Sequence, residues 1–134
     1  MSLRPALLGG LFLCLFGCSG GGTYSGGEQS LHHPNLDKAI AIIQSDSEIS
    51  DYVLRWEIFI TKDRPYGHVC AAPSGGIVAW YDYIANNPVS YTVACLCHEA
   101  RHLNERHGSS RSTAEETDAK RYASYCVNKL GLSI

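Results

Sequence analysis

The sequence is poor in charged residues, and neither sign dominates. Lysine, arginine, aspartate and glutamate make up 18% of its 134 residues, and the formal net charge is -2 at pH 7. It contains no basic run, so nucleic acid is not expected as a partner. The length allows one domain only. Because 45% of the residues are hydrophobic, we expect that domain to form a packed core rather than to be disordered.

The N-terminal apolar run is too short to span a membrane as a mature helix. Arg4 precedes this run, which covers residues 6–16, and the small residue Gly17 follows it. The pattern is typical of a secretory signal peptide, so residues 1–17 are interpreted as a signal and not as part of the fold. One reading is a plain signal that releases a soluble protein, and the other is a lipid anchor.

A cysteine at the end of the signal favours the anchor. Residues 15–18, Leu-Phe-Gly-Cys, resemble a bacterial lipobox, in which Cys18 is modified with fatty acids such as palmitate. Residues 18–30 are rich in glycine and serine and form a flexible tether that reaches roughly 20 Å. A domain at 31–134 would thus lie close to a bilayer. By resemblance to bacterial lipoproteins, Ser19 favours the outer membrane, facing the periplasm.

The pattern with the most chemical information lies at residues 98–102, His-Glu-Ala-Arg-His, which has the H-E-x-x-H spacing. Residues four apart on a helix lie one above the other, so His98 and His102 can offer two imidazole nitrogens to one metal ion. Glu99 flanks the same position and can take a proton from a metal-bound water. The alternative is a surface helix with two solvated histidines.

A catalytic zinc site needs a third protein ligand, and the final helix of the sequence offers one. Ser112 and Glu115 have the spacing of a capping box, which commits Glu115 to the helix start. Glu116 lies on the same apolar stripe as Ala119 and Ala123, whose small side chains permit close approach of another helix. The sequence therefore predicts Glu116 as the third ligand.

Four cysteines remain in the expected domain, at positions 70, 95, 97 and 126. An even number in an exported domain of this size predicts two disulfides. A Cys95–Cys97 bridge would be strained, so each should pair outward, one with Cys70 and the other with Cys126. Cys95–Cys126 with Cys70–Cys97 is weakly preferred, and both pairings remain open. Thiolate binding of zinc by Cys95 and Cys97 beside His98 is disfavoured by an oxidising compartment.

Periodicity predicts an α+β fold. Helices are expected from Pro34 to Ser45, between Asn87-Pro88 and Gly108, and at 113–130, and strands at 50–62, 66–72 and 77–83. Because the turns between the strands are short, we expect a three-stranded antiparallel sheet packed on the helix of the H-E-x-x-H pattern and on the final helix.

Three motifs in this order resemble the gluzincin metallopeptidases, in particular the HtpX-type membrane-associated peptidases and the single-domain minigluzincins. Residues 98–108, HEARHLNERHG, look like that family's HExxH followed by Arg-His. Residues 116–123 look like its E-x-x-A-D helix, and residues 72–80 look like the strand pair before the metal-binding helix. The resemblance covers about Gly67 to Ala123.

The resemblance implies a small zincin-like domain that hydrolyses peptide bonds. The expected address at the cell envelope indicates envelope proteins as substrates, and a monomer is expected because the sequence gives no sign of an oligomer. The resemblance also implies one zinc ion held by His98, His102 and Glu116, with Glu99 activating the attacking water. A peptide substrate would lie along an edge strand, expected at 77–83, by strand addition. The oxyanion stabiliser is expected among three residues: Tyr122, His68 and His107.

Two positions depart from the family pattern. Lys120 stands where the family has an aspartate that orients a zinc ligand, so Asp118 or another group would have to replace it. Arg101 is larger and more polar than the usual residue. The alternatives to a peptidase are therefore a zinc-binding but catalytically silent lipoprotein that acts as a binding or structural module, and a lipid-anchored domain without metal.

Overall fold

The computed structural model describes residues 31–73, 75–108 and 111–134. The predicted signal at 1–17, the lipidated Cys18 and the tether at 18–30 lie outside these ranges. Within them the chain is a mixed α+β protein, as predicted, with five α-helices and three short strands. None of the helices in the described part is both long enough and apolar enough to cross a membrane.

The helices are α1 (Pro34–Gln44), α2 (Ser47–Val53), α3 (Tyr81–Asn86), α4 (Val89–Asn104) and α5 (Thr113–Lys129). The strands are β1 (Glu57–Thr61), β2 (Cys70–Ala71) and β3 (Gly76–Trp80), and a short 3₁₀ turn covers Pro65–Gly67.

The sheet is mixed, so the prediction of an antiparallel meander is wrong. Its strand order is β1–β3–β2, with β1 parallel and β2 antiparallel to β3. The reason is burial: Ile77, Val78 and Ala79 of β3 are fully buried, and a strand buried on both faces belongs in the middle of a sheet. β3 is therefore not the edge strand expected at 77–83, and β2 is an edge strand.

Two parts of the predicted strands, residues 50–53 and 81–83, are helical. Residues 47–53 form α2 because the Asp46 side chain accepts a hydrogen bond from the backbone N–H of Ile49 at 3.1 Å, which caps the helix. Ile49 and Val53, four residues apart, are both fully buried on one face. The apolar alternation of residues 54–60 forms strand only from Glu57 on, and residues 81–83 open α3.

α4 is the central element of the molecule. Its residues Val93, Leu96 and Ala100 pack in a core cluster with residues of α1, α2, β3 and α5. A second cluster joins its Cys95 to residues of the sheet and α3, and contains Ile60, Cys70, Ala79 and Ile84. Because α4 is packed on several sides, the last turns that carry His98 and His102 are held rigidly.

Candidate metal centre

α4 presents His98 and His102 on one face, as the four-residue spacing predicts. Their Nε2 atoms lie 3.2 Å apart. The His102 side chain is only 2% exposed, and that of His98 is 21% exposed. Both imidazoles are thus largely enclosed by the protein and are not solvated surface groups.

The first turn of α5 brings Glu116 to these histidines. The capping box forms as predicted, since Ser112 Oγ accepts from the Glu115 N–H and Glu115 accepts from the Ser112 N–H. Glu116 Oε1 lies 3.1 Å from His98 Nε2 and 3.3 Å from His102 Nε2. Behind it Ala119 is fully buried, in agreement with the expected close approach of the two helices.

The three donor atoms of His98, His102 and Glu116, here called the donor triad, could hold one metal ion. Their separations of 3.1, 3.2 and 3.3 Å are close to those of ligands placed tetrahedrally around a cation. For zinc bond lengths of about 2.0–2.2 Å, tetrahedral ligands lie about 3.3–3.6 Å apart, so the triad is at or slightly inside the lower limit. The predicted convergence of the triad is confirmed.

The electrostatics of the two histidines favour their metal-binding form. Burial lowers the pKa of His98 and lowers that of His102 to about 4. Both imidazoles are therefore neutral at physiological pH, and a neutral imidazole is the form that binds a metal. The Arg111 guanidinium also lowers the pKa of His102 through its positive charge.

Glu99 lies beside the triad, and its carboxyl is buried, unlike that of Glu116. It is 8% exposed, and its Oε2 lies 4.0 Å from His98 Nε2. Burial raises the pKa of its carboxyl to about 7, against the opposing charge of Arg111. A carboxyl that titrates near neutral pH can both accept and return a proton.

The triad and Glu99 open onto two adjoining cavities of about 430 and 730 Å³. Both are lined by the same central group: His68, Cys70, His98, Glu99 and Glu116. The smaller cavity follows β2 through Ala71 to Pro73. The larger one extends past Tyr91 and Lys120. A ligand that entered both cavities would cross the donor triad.

The three residues expected as oxyanion stabilisers lie in different places. His68 lines both cavities and is exposed. Tyr122 packs against Tyr52, with ring centroids 4.7 Å apart, and under the Arg101 guanidinium, so its ring is partly buried against the core cluster. His107 contacts the outer nitrogen of His102, with 2.8 Å between their Nδ1 atoms. Of the three, His68 is placed to meet a ligand.

Asp118 lies behind the triad and is held by Arg101. The Arg101 Nε and Nη2 atoms donate to the two carboxylate oxygens of Asp118 at 2.8 and 3.1 Å. Arg101 also donates to the Tyr52 hydroxyl at 3.1 Å. Arg101 thus orders the acid at position 118, and Lys120 lines the larger cavity.

One disulfide forms among the described residues, between Cys70 and Cys95. The weakly preferred pairing was therefore wrong, and only one of the two expected bridges is present. Cys95 faces β2, whereas Cys97 faces α5 and lies buried beside the Cys126 thiol. Contact with that thiol, together with burial, raises the pKa of Cys97. Neither thiol joins His98 at the metal centre, which removes the thiolate alternative.

Two residues that line the smaller cavity were missed by sequence reasoning, Tyr66 and Arg111. Arg111 precedes the capping box, and its buried Nε has no hydrogen-bond partner in the described part of the chain. A basic residue just before the helix that carries a ligand was the available signal. No comparable signal exists for Tyr66, because its position in the cavity wall depends on its own left-handed backbone conformation, φ 52°, in the turn before β2.

No protein-family model matches this sequence, and comparison with curated proteins and with solved structures found no match. The resemblance to gluzincins therefore remains a hypothesis that depends on the three motifs and on the donor triad.

Proposed function

We propose that the chain is a zinc-dependent peptidase with a zincin-like active site of the gluzincin type. One observation carries this proposal: two imidazoles and a carboxylate converge at 3.1–3.3 Å beside a buried glutamate with a pKa of about 7. Three nitrogen and oxygen ligands that leave a position for water are typical of catalytic zinc sites.

Each residue has a role in this proposal. His98, His102 and Glu116 hold one zinc ion, which when bound acidifies water and polarises the scissile carbonyl. Glu99 accepts a proton from the attacking water and returns it to the leaving amine. Its raised pKa supports both steps, because the proton is neither too tightly nor too weakly held. His68 is our choice for stabilising the oxyanion.

The substrate of this peptidase is an extended peptide. β2 is the edge strand beside the smaller cavity, so we place the peptide along Cys70–Ala72 by strand addition, in place of the edge first expected at 77–83. The Cys70–Cys95 bridge supports this arrangement, since it ties the edge strand to the helix that carries the catalytic pair. The proposal includes a monomer tethered through Cys18 in the bacterial envelope, acting on envelope proteins.

Metal analysis and peptide cleavage together test the function. The full-length chain, purified in detergent, should contain one zinc ion and cut members of a peptide library. Glu99→Gln should keep the zinc and lose at least about 100-fold in rate, since a positioned acid–base group contributes about 10²–10⁴-fold. Glu116→Gln should lose zinc, while the neighbouring Glu115→Gln, a change in the capping box, should keep both metal and activity.

A second candidate function is a zinc-binding module without catalysis. The observation that favours it is Lys120, which lines the larger cavity one helical turn from Glu116 and places a positive charge where the family has an acid. If the wild type and Glu99→Gln both hold one zinc ion and neither cuts any peptide, the peptidase proposal is wrong and the binding module is favoured.

A further inference from the structure

α4 ends in a turn that folds His107 back against His102. The Arg106 N–H donates to the carbonyl of Leu103 at 3.2 Å, and the His107 N–H donates to the carbonyl of His102 at 2.9 Å. This pair of bonds is a Schellman motif, in which one residue must adopt the left-handed conformation. Arg106 adopts it, with φ 58°, although it is not a glycine. The backbone thus brings a specific side chain, His107, to the outer side of a metal ligand.

The contact between the two rings determines where their hydrogens lie. The two Nδ1 atoms are 2.8 Å apart, and the side chains of His102 and His107 are 2% and 11% exposed. At that distance one nitrogen donates and the other accepts. Nε2 of His102 faces Glu116 and must be unprotonated to bind a metal. With a metal bound, Nδ1 of His102 therefore carries the hydrogen, and Nδ1 of His107 accepts it.

A fixed negative charge lies on the far side of His107. With Nδ1 as an acceptor, neutral His107 carries its hydrogen on Nε2, which lies 3.7 Å from Asp118 Oδ2. The Arg101 guanidinium donates to both oxygens of that carboxylate, at 2.8 and 3.1 Å, and so holds it in place. This negative charge attracts the Nε2–H of His107 whether or not a metal is bound, so Nδ1 of His107 stays an acceptor. In the metal-free protein too, the Nδ1–H tautomer of His102 is therefore favoured.

We infer that His107, supported by Asp118 and Arg101, is a positioning residue that fixes the tautomer and ring orientation of His102. In naming zinc as the bound ion, the inference rests on the proposed function. A metal-binding histidine usually donates its second N–H directly to a carboxylate, a carbonyl or water. Here an imidazole stands between the ligand and the carboxylate.

The first test uses the metal-free protein, so it does not depend on activity. Imidazole ¹⁵N NMR spectra of the full-length chain in detergent should report the Nδ1–H tautomer of His102. His107→Phe removes the acceptor, and His102 should move towards the Nε2–H tautomer that free imidazoles prefer. His107→Asn keeps an amide oxygen near the position of Nδ1 and should restore the wild-type tautomer. Arg106→Gly keeps the turn, so it serves as the control and should leave the tautomer unchanged.

The second test is zinc affinity, measured by competition with a chelator. Loss of a group that orients a ligand typically weakens metal binding by about 10- to 100-fold, which is the loss expected for His107→Phe. His107→Asn should recover most of it, and Arg106→Gly should bind as the wild type does. Should His107→Phe show the wild-type tautomer and affinity, the inference is wrong while the zinc site stands. Should the tautomer change as expected in a protein that binds no zinc, the positioning role stands and the peptidase proposal falls.

Discussion

At the scale of single residues, the surroundings of two acids, Glu99 and Asp118, shift their pKa values in opposite directions. Glu99 is 8% exposed and has a pKa raised to about 7, whereas the Asp118 carboxyl has a pKa lowered by its hydrogen bonds from Arg101. The first can exchange a proton near neutral pH, and the second stays charged. Such a division between titrating and permanently charged groups is typical of catalytic sites.

We expect the stability of Glu99→Gln relative to wild type to depend on pH in the metal-free protein. The Glu99 pKa rises from 4.5 to about 7 on folding, so the folded wild type binds more protons in that window and loses stability as pH rises through it. Glutamine has no such titration. The free energy of unfolding of Glu99→Gln, relative to that of wild type, should therefore rise between pH 4.5 and 7 by up to about 3 kcal/mol, at about 1.4 kcal/mol for each pH unit.

Urea unfolding in the presence of a chelator, repeated at several pH values, measures this difference. The lowered pKa values of His98 and His102 affect stability in both proteins and largely cancel in the comparison. If the difference in free energy of unfolding between the two proteins does not change between pH 4.5 and 7, the Glu99 carboxyl does not have a raised pKa in the folded protein.

The second prediction at this scale concerns the left-handed Arg106. Glycine adopts φ 58° without steric conflict, so Arg106→Gly should leave stability unchanged or raise it by up to about 1 kcal/mol. A β-branched residue is disfavoured there, and Arg106→Val should lower stability by about 1–3 kcal/mol. Denaturant midpoints of the two variants, measured side by side, test the turn; equal stabilities would show that position 106 is not left-handed.

At the scale of elements, the Cys70–Cys95 bridge joins the edge strand β2 to α4. The two cysteines are 25 residues apart in sequence. Replacing both with serine should lower the free energy of unfolding by about 3.5 kcal/mol on the loop-entropy estimate. Cys97→Ala, which removes only a buried thiol, serves as the comparison and should lose clearly less. A loss as large in Cys97→Ala, or a bridged peptide containing Cys97 in a mass-spectrometric digest, would contradict this pairing.

The three long helices α1, α4 and α5 were predictable from sequence because their signals are local, whereas the short α2 and α3 were partly predicted as strand. The capping box from Ser112 to Glu115 and the stripe of Ala119 and Ala123 place Glu116 correctly, and the spacing of His98 and His102 is a property of α4 alone. The order of the strands in the sheet is not determined by local sequence signals. It depends on which strand is buried on both faces, and short turns between consecutive strands suggested neighbours where β3 in fact separates β1 from β2.

The position of His107 and the disulfide partner of Cys95 were harder to predict, because they depend on turns and on tertiary contacts. The position of His107 depends on a left-handed arginine, for which sequence gives no warning, since glycine is the usual residue there. The partner of Cys95 depends on which side of α4 faces the sheet. The strained Cys95–Cys97 pair was correctly excluded, but the choice between Cys70 and Cys126 needed the packing of the whole domain.

At the scale of the whole molecule, a metal ion would bridge α4 and α5 and so stabilise the fold. At a free zinc concentration about 100 times the dissociation constant, binding should add about 2.7 kcal/mol. For a domain of about 100 residues this corresponds to a rise in Tm of about 10–20 °C. Thermal unfolding with zinc and with a chelator measures the shift. Glu116→Gln should abolish most of it and Glu115→Gln should not; an equal shift in both variants would place the ion elsewhere.

The strand order also has a consequence for how the chain folds. β1 has its partner in β3, which follows it after an intervening segment that includes β2, and among the described residues β2 likewise pairs with β3 alone. This sheet therefore cannot form until residue 76 has been synthesised. Until then the apolar strand at 57–61 lacks its partner strand and is open to intermolecular association. A chaperone that holds the nascent chain until β3 emerges would protect it during this interval.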